Sequence, residues 1–402
     1  MSKHDALSRI LRTFSVDDGE LARRSREGAR KVAQKYAKLR RSPYKLFRAT
    51  NPTFIGDLEA MPEWWRLACH EIVGPLLGDG HPENLGAVGA SAATAQVDCT
   101  DFDVVVSAPL ARDLARAVCG FALAEDQRLP RDHDDDRALA HALDGAPSQA
   151  ALDRARLFAL TWGERLLTGQ GGMPGAAAFA EALAAVDTPI ADLTLDESTH
   201  AVEPHPGEPA LDEALASYAA TTPAVRGAKL VHAWLLSGKG ASSFCTERTI
   251  LRLALAEGTT DSGHLLPREI LVEWKPQPDA RTVAEAYRDR RSPATRDPFL
   301  GLASIAGVGH VAQRWMADAQ KVKSKDLRGQ HADDVAQLMA VRMADLHRRF
   351  TPSVIERVRG QPLETIADAL VDLVTAFTPV MAAEWRAFLA LTPDELVKKV
   401  AE

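Results

Sequence analysis

The residues best suited to chemistry stand in one phrase, Gly78-Asp79-Gly80-His81-Pro82-Glu83-Asn84, followed by Asp101-Phe102-Asp103 at the edge of a β-branched run. Phosphoryl transfer needs this set: one carboxylate to take or orient a hydroxyl proton, and an amide oxygen and second carboxylate to hold the magnesium that neutralises nucleotide phosphates. Asp79 and Asn84 are spaced so that one loop supplies both base and metal ligand, and Asp101 would close the metal site from the adjoining strand. An ammonium on the phosphates is also required, and Lys275, at the end of ILVEWK, is positioned to provide it. Just before the strand text ERTILRLALA, the stretch 237–243 (SGKGASS) would let Gly238, Gly240 and Ser242 bring backbone N–H groups to phosphate oxygens. Ser243 stands where a third glycine is usual, and an ordinary turn explains the same text. Glu285, in the helical VAEAYRDRR, is the nearest carboxylate to pair with Lys275. The plain alternative for Asp79 and Asn84 is turn capping, which both residue types do well.

These segments resemble kinase-like phosphotransferases of the aminoglycoside phosphotransferase and choline kinase type, whose loops read D-x-H-P-x-N before a D-F-G-like triplet. Ala111-Arg112-Asp113-Leu114-Ala115 is similar to the helix start that follows the metal-binding aspartate there, which implies that Asp113 braces the loop. Closer still is the resemblance to the bacterial family known as domain of unknown function 2252. It rests on residues 42–50 (SPYKLFRAT), 78–86, 100–103 (TDFD) and 272–276 (VEWKP). Thr100, Val104 and Pro276 depart from that family's pattern. The resemblance implies ATP and Mg2+ as cofactors, with His81 and Asp103 supporting the loop and with Arg48 and Lys45 near phosphate or substrate. Arg48 could equally brace the acidic loop, and His347 corresponds to a histidine of the family's C-terminal helix for which a structural hydrogen bond is the simpler role.

The elements that must hold these residues follow from hydrophobic period and turn residues. Residues 1–41 read as one basic helix that ends at Ser42-Pro43, because a residue before proline is pushed out of helical geometry. AQVDCTDFDVVVSAP reads as strand, turn and strand, and the alanine- and leucine-rich text from Pro109 to about Thr222 as several helices. ERTILRLALA and EILVEWKPQ predict two strands of a small sheet, and the remainder, from HADDVAQLMAVRMADLHRRF onward, is helical with separate helices at ETIADALVDLVTAF and MAAEWRAFLALTPDELVKKVAE. The expected organisation is a basic helix over 1–41, a helical large lobe over 42–226, a sheet lobe over 227–325, and C-terminal helices over 326–402 that rejoin the large lobe. Lysine and glycine-rich loop follow the catalytic loop in the chain, so the expected α+β, two-lobed, helix-rich kinase-like fold is circularly permuted.

Composition narrows the classes. The chain has 402 residues, 46% hydrophobic and 26% charged, enough to bury sizeable cores. No long apolar run is present and acids stand near the start, so the expectation is a cytoplasmic protein with no membrane partner. A net charge of -7 opposes nonspecific nucleic-acid binding. Cys69, Cys99, Cys119 and Cys245 form no CxxC pair and read as reduced and buried. The acidic run Asp132-His133-Asp134-Asp135-Asp136 reads as a solvated helix start rather than a cation site, although acids at 126–136 and 203–213 could attract a cationic acceptor. The expected activity is Mg-dependent transfer of the ATP γ-phosphoryl group to a hydroxyl of a small-molecule or peptide acceptor. The alternatives are a noncatalytic, pseudokinase-like nucleotide-binding module and nucleotidyl transfer.

Overall fold

A computed structural model describes residues 3–89, 95–102, 106–125, 146–170, 176–187, 199–202, 209–236, 246–256, 267–291, 296–316, 320–323 and 327–402. The chain opens with helices α1 (Lys3–Phe14), α2 (Asp17–Arg24), α3 (Arg26–Leu39), α4 (Pro43–Ala49) and α5 (Asn51–Glu59). The single helix expected over 1–41 is therefore three helices. Ser25 is extended (φ -162°) and its side chain accepts the Gly28 N–H, so a residue that a propensity reading counts as tolerable ends one helix and caps the next. At α4 the expected break holds and a new helix begins at once: Ser42 caps the Lys45 N–H and Pro43 occupies the first turn, where its missing N–H costs nothing.

Four short strands follow, β1 (Val73–Pro75), β2 (Leu85–Val88), β3 (Gln96–Cys99) and β4 (Ser107–Pro109). β3 pairs with β2, and β4 with β1, so the expected strand-turn-strand unit is two separate ribbons that hold residues 76–84 between them. Next come α6 (Ala111–Glu125), α7 (Gln149–Thr168) and the short α8 (Ala180–Ala184).

The larger sheet combines β5 (Thr199–Val202), β6 (Lys229–Leu236), β7 (Arg248–Ala254), β8 (Glu269–Pro276), β9 (Gly301–Ile305) and β10 (Val308–Arg314), with α9 (Pro209–Thr221) between β5 and β6, and α10 (Ala280–Arg290) between β8 and β9. It is antiparallel in the order β5-β6-β7-β8-β10-β9. β7 and β8 are the two strands the sequence predicts. β6 escapes the reading because a register shift between Leu230 and His232 breaks its alternation. The β9–β10 hairpin escapes because its turn is Ala306-Gly307, both at positive φ (48° and 81°), where Asn-Gly is the usual signal. Tyr218 of α9 packs edge-on against Trp274 of β8, with ring centroids 5.7 Å apart, inside a core that belongs to the sheet.

The chain ends in α11 (Gly329–Phe350), α12 (Ser353–Arg359), α13 (Leu363–Leu389) and α14 (Pro393–Ala401). α13 runs unbroken through Pro379, so the boundary between the two helices expected there falls after Leu389, and the second expected helix is divided between α13 and α14. α13 is the one described helix long and apolar enough to cross a membrane, and more than half of its apolar stretch is buried within the fold. α7 packs against both α11 and α13, which joins the C-terminal helices to the body formed by residues 42–168. Val283, Ala286 and Tyr287 of α10 are buried in that helical core rather than the sheet's, so α10 ties the sheet to the helical body.

Candidate active site

The loop 76–84 is held from below by a carboxylate. Asp113, in the first turn of α6, accepts the Leu77 N–H through Oδ2 (2.7 Å) and the Gly78 N–H through Oδ1 (3.2 Å). Behind it His347 of α11 lies with Nε2 3.3 Å from Asp113 Oδ2, and Trp162 of α7 donates Nε1–H to His347 Nδ1 at 3.3 Å. Since the indole can only donate, Nδ1 is the acceptor and the ring proton sits on Nε2, directed at Asp113. Three helices thus fix one turn of loop. Gly78 has φ of 87°, a conformation costly for any side chain with a Cβ, and Gly120 of α6 lets Pro82 approach so closely that an added Cβ would lie 2.8 Å from its Cδ.

Above this base the loop presents its functional groups. The Asn84 side chain donates Nδ2–H to the Asp79 carbonyl (2.6 Å), so its amide oxygen points away from that bond. The Asn84 carbonyl accepts the Thr100 N–H (2.8 Å), which sets the residue before Asp101 beside the loop. Arg48 of α4 pairs with Glu83 and donates Nε–H to His81 Nε2 (3.1 Å), which places the His81 proton on Nδ1, 3.4 Å from the Tyr44 hydroxyl. Burial, with the positive charges of Arg48 and Arg116 nearby, pushes His81 well below its ordinary pKa, so the ring is neutral. Arg116, one turn beyond Asp113 on α6, donates Nε–H to Asp79 Oδ1 at 2.8 Å.

The sheet contributes the opposing wall. Lys275 is buried near the end of β8, and its neighbour Glu273 pairs with Arg248 of β7 at 2.6 Å. Burial by itself would raise the Asp101 carboxyl, but the ammonium of Lys275, reinforced by Arg248 and Lys321, holds it below the usual range. Asp79 behaves oppositely. Burial raises it, the Arg116 guanidinium opposes that rise, and the negative charge of Asp101 adds to it. Tyr287 of α10 directs its hydroxyl at Asp101 Oδ1 (3.4 Å). Residues following β10, with Thr100, Glu273, Arg291 and Lys321, line a cleft open to solvent between the sheet and the β2–β3 ribbon; Asp79, Asn84, Asp101 and Lys275 are not among its lining residues.

The sequence-derived residues fall into three groups. Asp79, His81, Asn84, Arg48, Asp113, Asp101 and Lys275 occupy one region. Glu285, expected beside Lys275, is exposed on α10, whereas Lys275 is buried; the helix sends Tyr287 toward the site instead. Gly238, Gly240, Ser242 and Asp103 lie outside the described residues, as do the run 132–136 and Cys245. Arg116, Arg248, Tyr287 and Lys321 were not singled out by sequence. Only Arg116 carried a usable signal, the spacing that stacks it over Asp113 on one helix face. Cys69, Cys99 and Cys119 are buried free thiols.

The residues fit a magnesium ion: an amide oxygen and a carboxylate are hard oxygen donors, and this metal ordinarily takes few protein ligands and completes its shell with phosphates and water. Among the described residues no cluster of three or more His, Cys, Asp or Glu side chains forms a cage for a metal by itself.

Fold and site together define an α+β protein in which an antiparallel sheet and the β2–β3 ribbon border a cleft lined by the charged residues Glu273, Arg291, Asp297, Arg314 and Lys321. Residues 28–147 match the model of the family described as uncharacterized protein conserved in bacteria (DUF2252), the family whose motifs the sequence resembles. The matched segment contains Arg48, Asp79, Asn84, Asp101, Asp113 and Arg116; the strand bearing Lys275 lies beyond it. No curated protein and no solved structure matches the chain.

Proposed function

We propose that this protein is a Mg-dependent phosphotransferase of kinase-like, permuted fold that moves the γ-phosphoryl group of ATP to a hydroxyl of a small-molecule or peptide acceptor. One observation carries the reading: Asp101 of the helical body and Lys275 of the sheet lie close enough for the ammonium to be the chief charge opposing burial at that carboxyl, beside the loop bearing Asp79 and Asn84. The sheet adds support, since the lysine strand is followed by α10 and the β9–β10 hairpin, and the cleft takes in Glu273 of that strand and the end of β10.

Asn84 and Asp101 would hold magnesium, which supplies charge neutralisation on the phosphates. Lys275 binds the phosphates from the opposite wall. Asp79 orients the acceptor hydroxyl and takes its proton, a role suited to a carboxylate whose proton affinity is increased by burial. The neutral His81 orders the loop through Arg48 and Tyr44 rather than serving as base.

Thermal denaturation with and without Mg-ATP tests the reading, followed by ADP release with a panel of hydroxyl acceptors. Stabilisation by Mg-ATP that is lost in Lys275→Met, with acceptor-dependent ADP release, is the expected result. Stabilisation without ADP release from any acceptor favours a noncatalytic module, and pyrophosphate release instead of ADP favours nucleotidyl transfer. No stabilisation at all removes the proposal.

A further inference from the structure

Asp79 has two carboxylate oxygens in different surroundings. Oδ1 receives Nε–H of Arg116 at 2.8 Å, with Nη2 of the same guanidinium also 2.8 Å away. Among the described residues no hydrogen bond reaches Oδ2, and His81 Nε2 lies 3.6 Å from it, beyond bonding distance. The guanidinium cannot swing. Its side chain is 2% exposed, Nη2 donates to the Phe47 carbonyl at 3.0 Å, and Cζ sits 3.7 Å over the Phe47 ring and 5.1 Å from that of Phe54. A planar cation clamped between a carbonyl and aromatic faces is a rigid anvil for a carboxylate, and a lysine ammonium would not reproduce it.

We infer that Arg116 is the positioning residue of this site: it fixes the Asp79 carboxylate through Oδ1 and leaves Oδ2 as the oxygen that receives the acceptor's proton. The inference rests on the phosphotransferase reading. In that reaction the acceptor O–H proton passes to Oδ2, the acceptor oxygen forms its bond to the γ-phosphorus, and the bond from phosphorus to the bridging oxygen breaks with its electron pair leaving on ADP. Oδ2 then returns the proton to solvent. Arg116 touches neither nucleotide nor acceptor and acts only through Asp79.

The contact has a signature independent of turnover. Urea unfolding of the full chain is measured at neutral pH for the wild type, Asp79→Asn, Arg116→Met and the double variant. The expected coupling between positions 79 and 116 is about tenfold or more in the unfolding equilibrium constant, as for a hydrogen bond to a charged group. Arg116→Lys, which keeps the charge, guards against a Met variant that fails to fold and should retain part of the coupling. In the Mg-ATP turnover assay Arg116→Met and Arg116→Lys should lower kcat, Arg116→Lys by less, with KM for ATP unchanged. Coupling that is absent overturns the role of Arg116 even if ATP is turned over, as does a change in KM for ATP with kcat unchanged. Coupling of the expected form in a protein that Mg-ATP does not stabilise overturns the phosphotransferase reading, and the base role of Asp79 with it.

Discussion

Two carboxylates, Asp79 of the loop and Asp101 just after β3, lie close enough for their charges to interact and are treated in opposite ways. Around Asp79 the helical body supplies one rigid guanidinium, on one oxygen, and burial prevails, so the group's proton affinity rises. Around Asp101 three cations from the sheet lobe and the segment after it outweigh burial, so its affinity falls. Environments that drive two like groups apart are how one site obtains both a proton acceptor and a permanent anion. Here the separation arises because burial and the charge of Asp101 outweigh Arg116 and Arg48 at Asp79, whereas Lys275, Arg248 and Lys321 outweigh burial at Asp101.

The comparison can be broken at several strengths. The largest expected effect is on turnover. Asp79→Asn and Asp101→Asn should each lower acceptor-dependent ADP release by about 10³-fold, within the range for losing a base or a preorganised charge. The two separate in a thermal shift, where Asp79→Asn should keep its response to Mg-ATP and Asp101→Asn should lose it. Equal behaviour of both variants would erase the distinction drawn here.

A smaller effect sharpens the electrostatic half. Because its partners lower the folded pKa of Asp101, its contribution to stability is complete above the ordinary carboxylate range and disappears as pH falls through the lowered folded value. Urea denaturation should therefore show Asp101→Asn about 3 kcal/mol less stable than wild type at neutral pH, as for removing one partner of a buried charge cluster, with the gap closing in acid. A gap that persists unchanged in acid would assign the loss to packing instead.

Next in size is the base of the loop. Asp113→Ala orphans the Leu77 and Gly78 N–H groups, and chemical denaturation should register about 2 kcal/mol. Smallest is Trp162→Phe, which removes the single indole bond to His347 and should cost about 1 kcal/mol while preserving ring packing. If Trp162→Phe cost more than Asp113→Ala, the direction of support from helix to loop would be reversed.

Much of the site was readable along the chain because its loop is local: Asp79, His81 and Asn84 fall within one turn, and Asp113 opens the next long helix. Lys275 was readable because a lysine at the end of an apolar strand is buried at a cost and requires a reason. For Arg116 the text gave its helix face, three residues beyond Asp113, but not its contact with Asp79, since an arginine inside an alanine-rich helix reads the same whether it faces solvent or a carboxylate. Glu285 and Tyr287 show the limit plainly. They lie two positions apart on α10, and only the helix's rotation against the body decides that the tyrosine turns inward and the glutamate outward.

The N-terminal helices illustrate the same division for the fold. Helical character from residue 3 to 39 was evident from residue types, but the chain breaks near Val16 and at Ser25, and α1 and α2 pack against α13 and α14. The buried pair of Lys35 with Asp18, 2.8 Å apart, joins α3 to α2 after the chain has folded back. Sequence alone determined which residue types could do chemistry, where helices and the two central strands would form, and the order in which loop, acid and lysine appear, because propensity and period are properties of neighbouring residues. Tertiary structure decided which charges face one another and which carboxylate gains or loses its proton more readily, because Coulomb interaction and burial depend on distance through space and not along the chain.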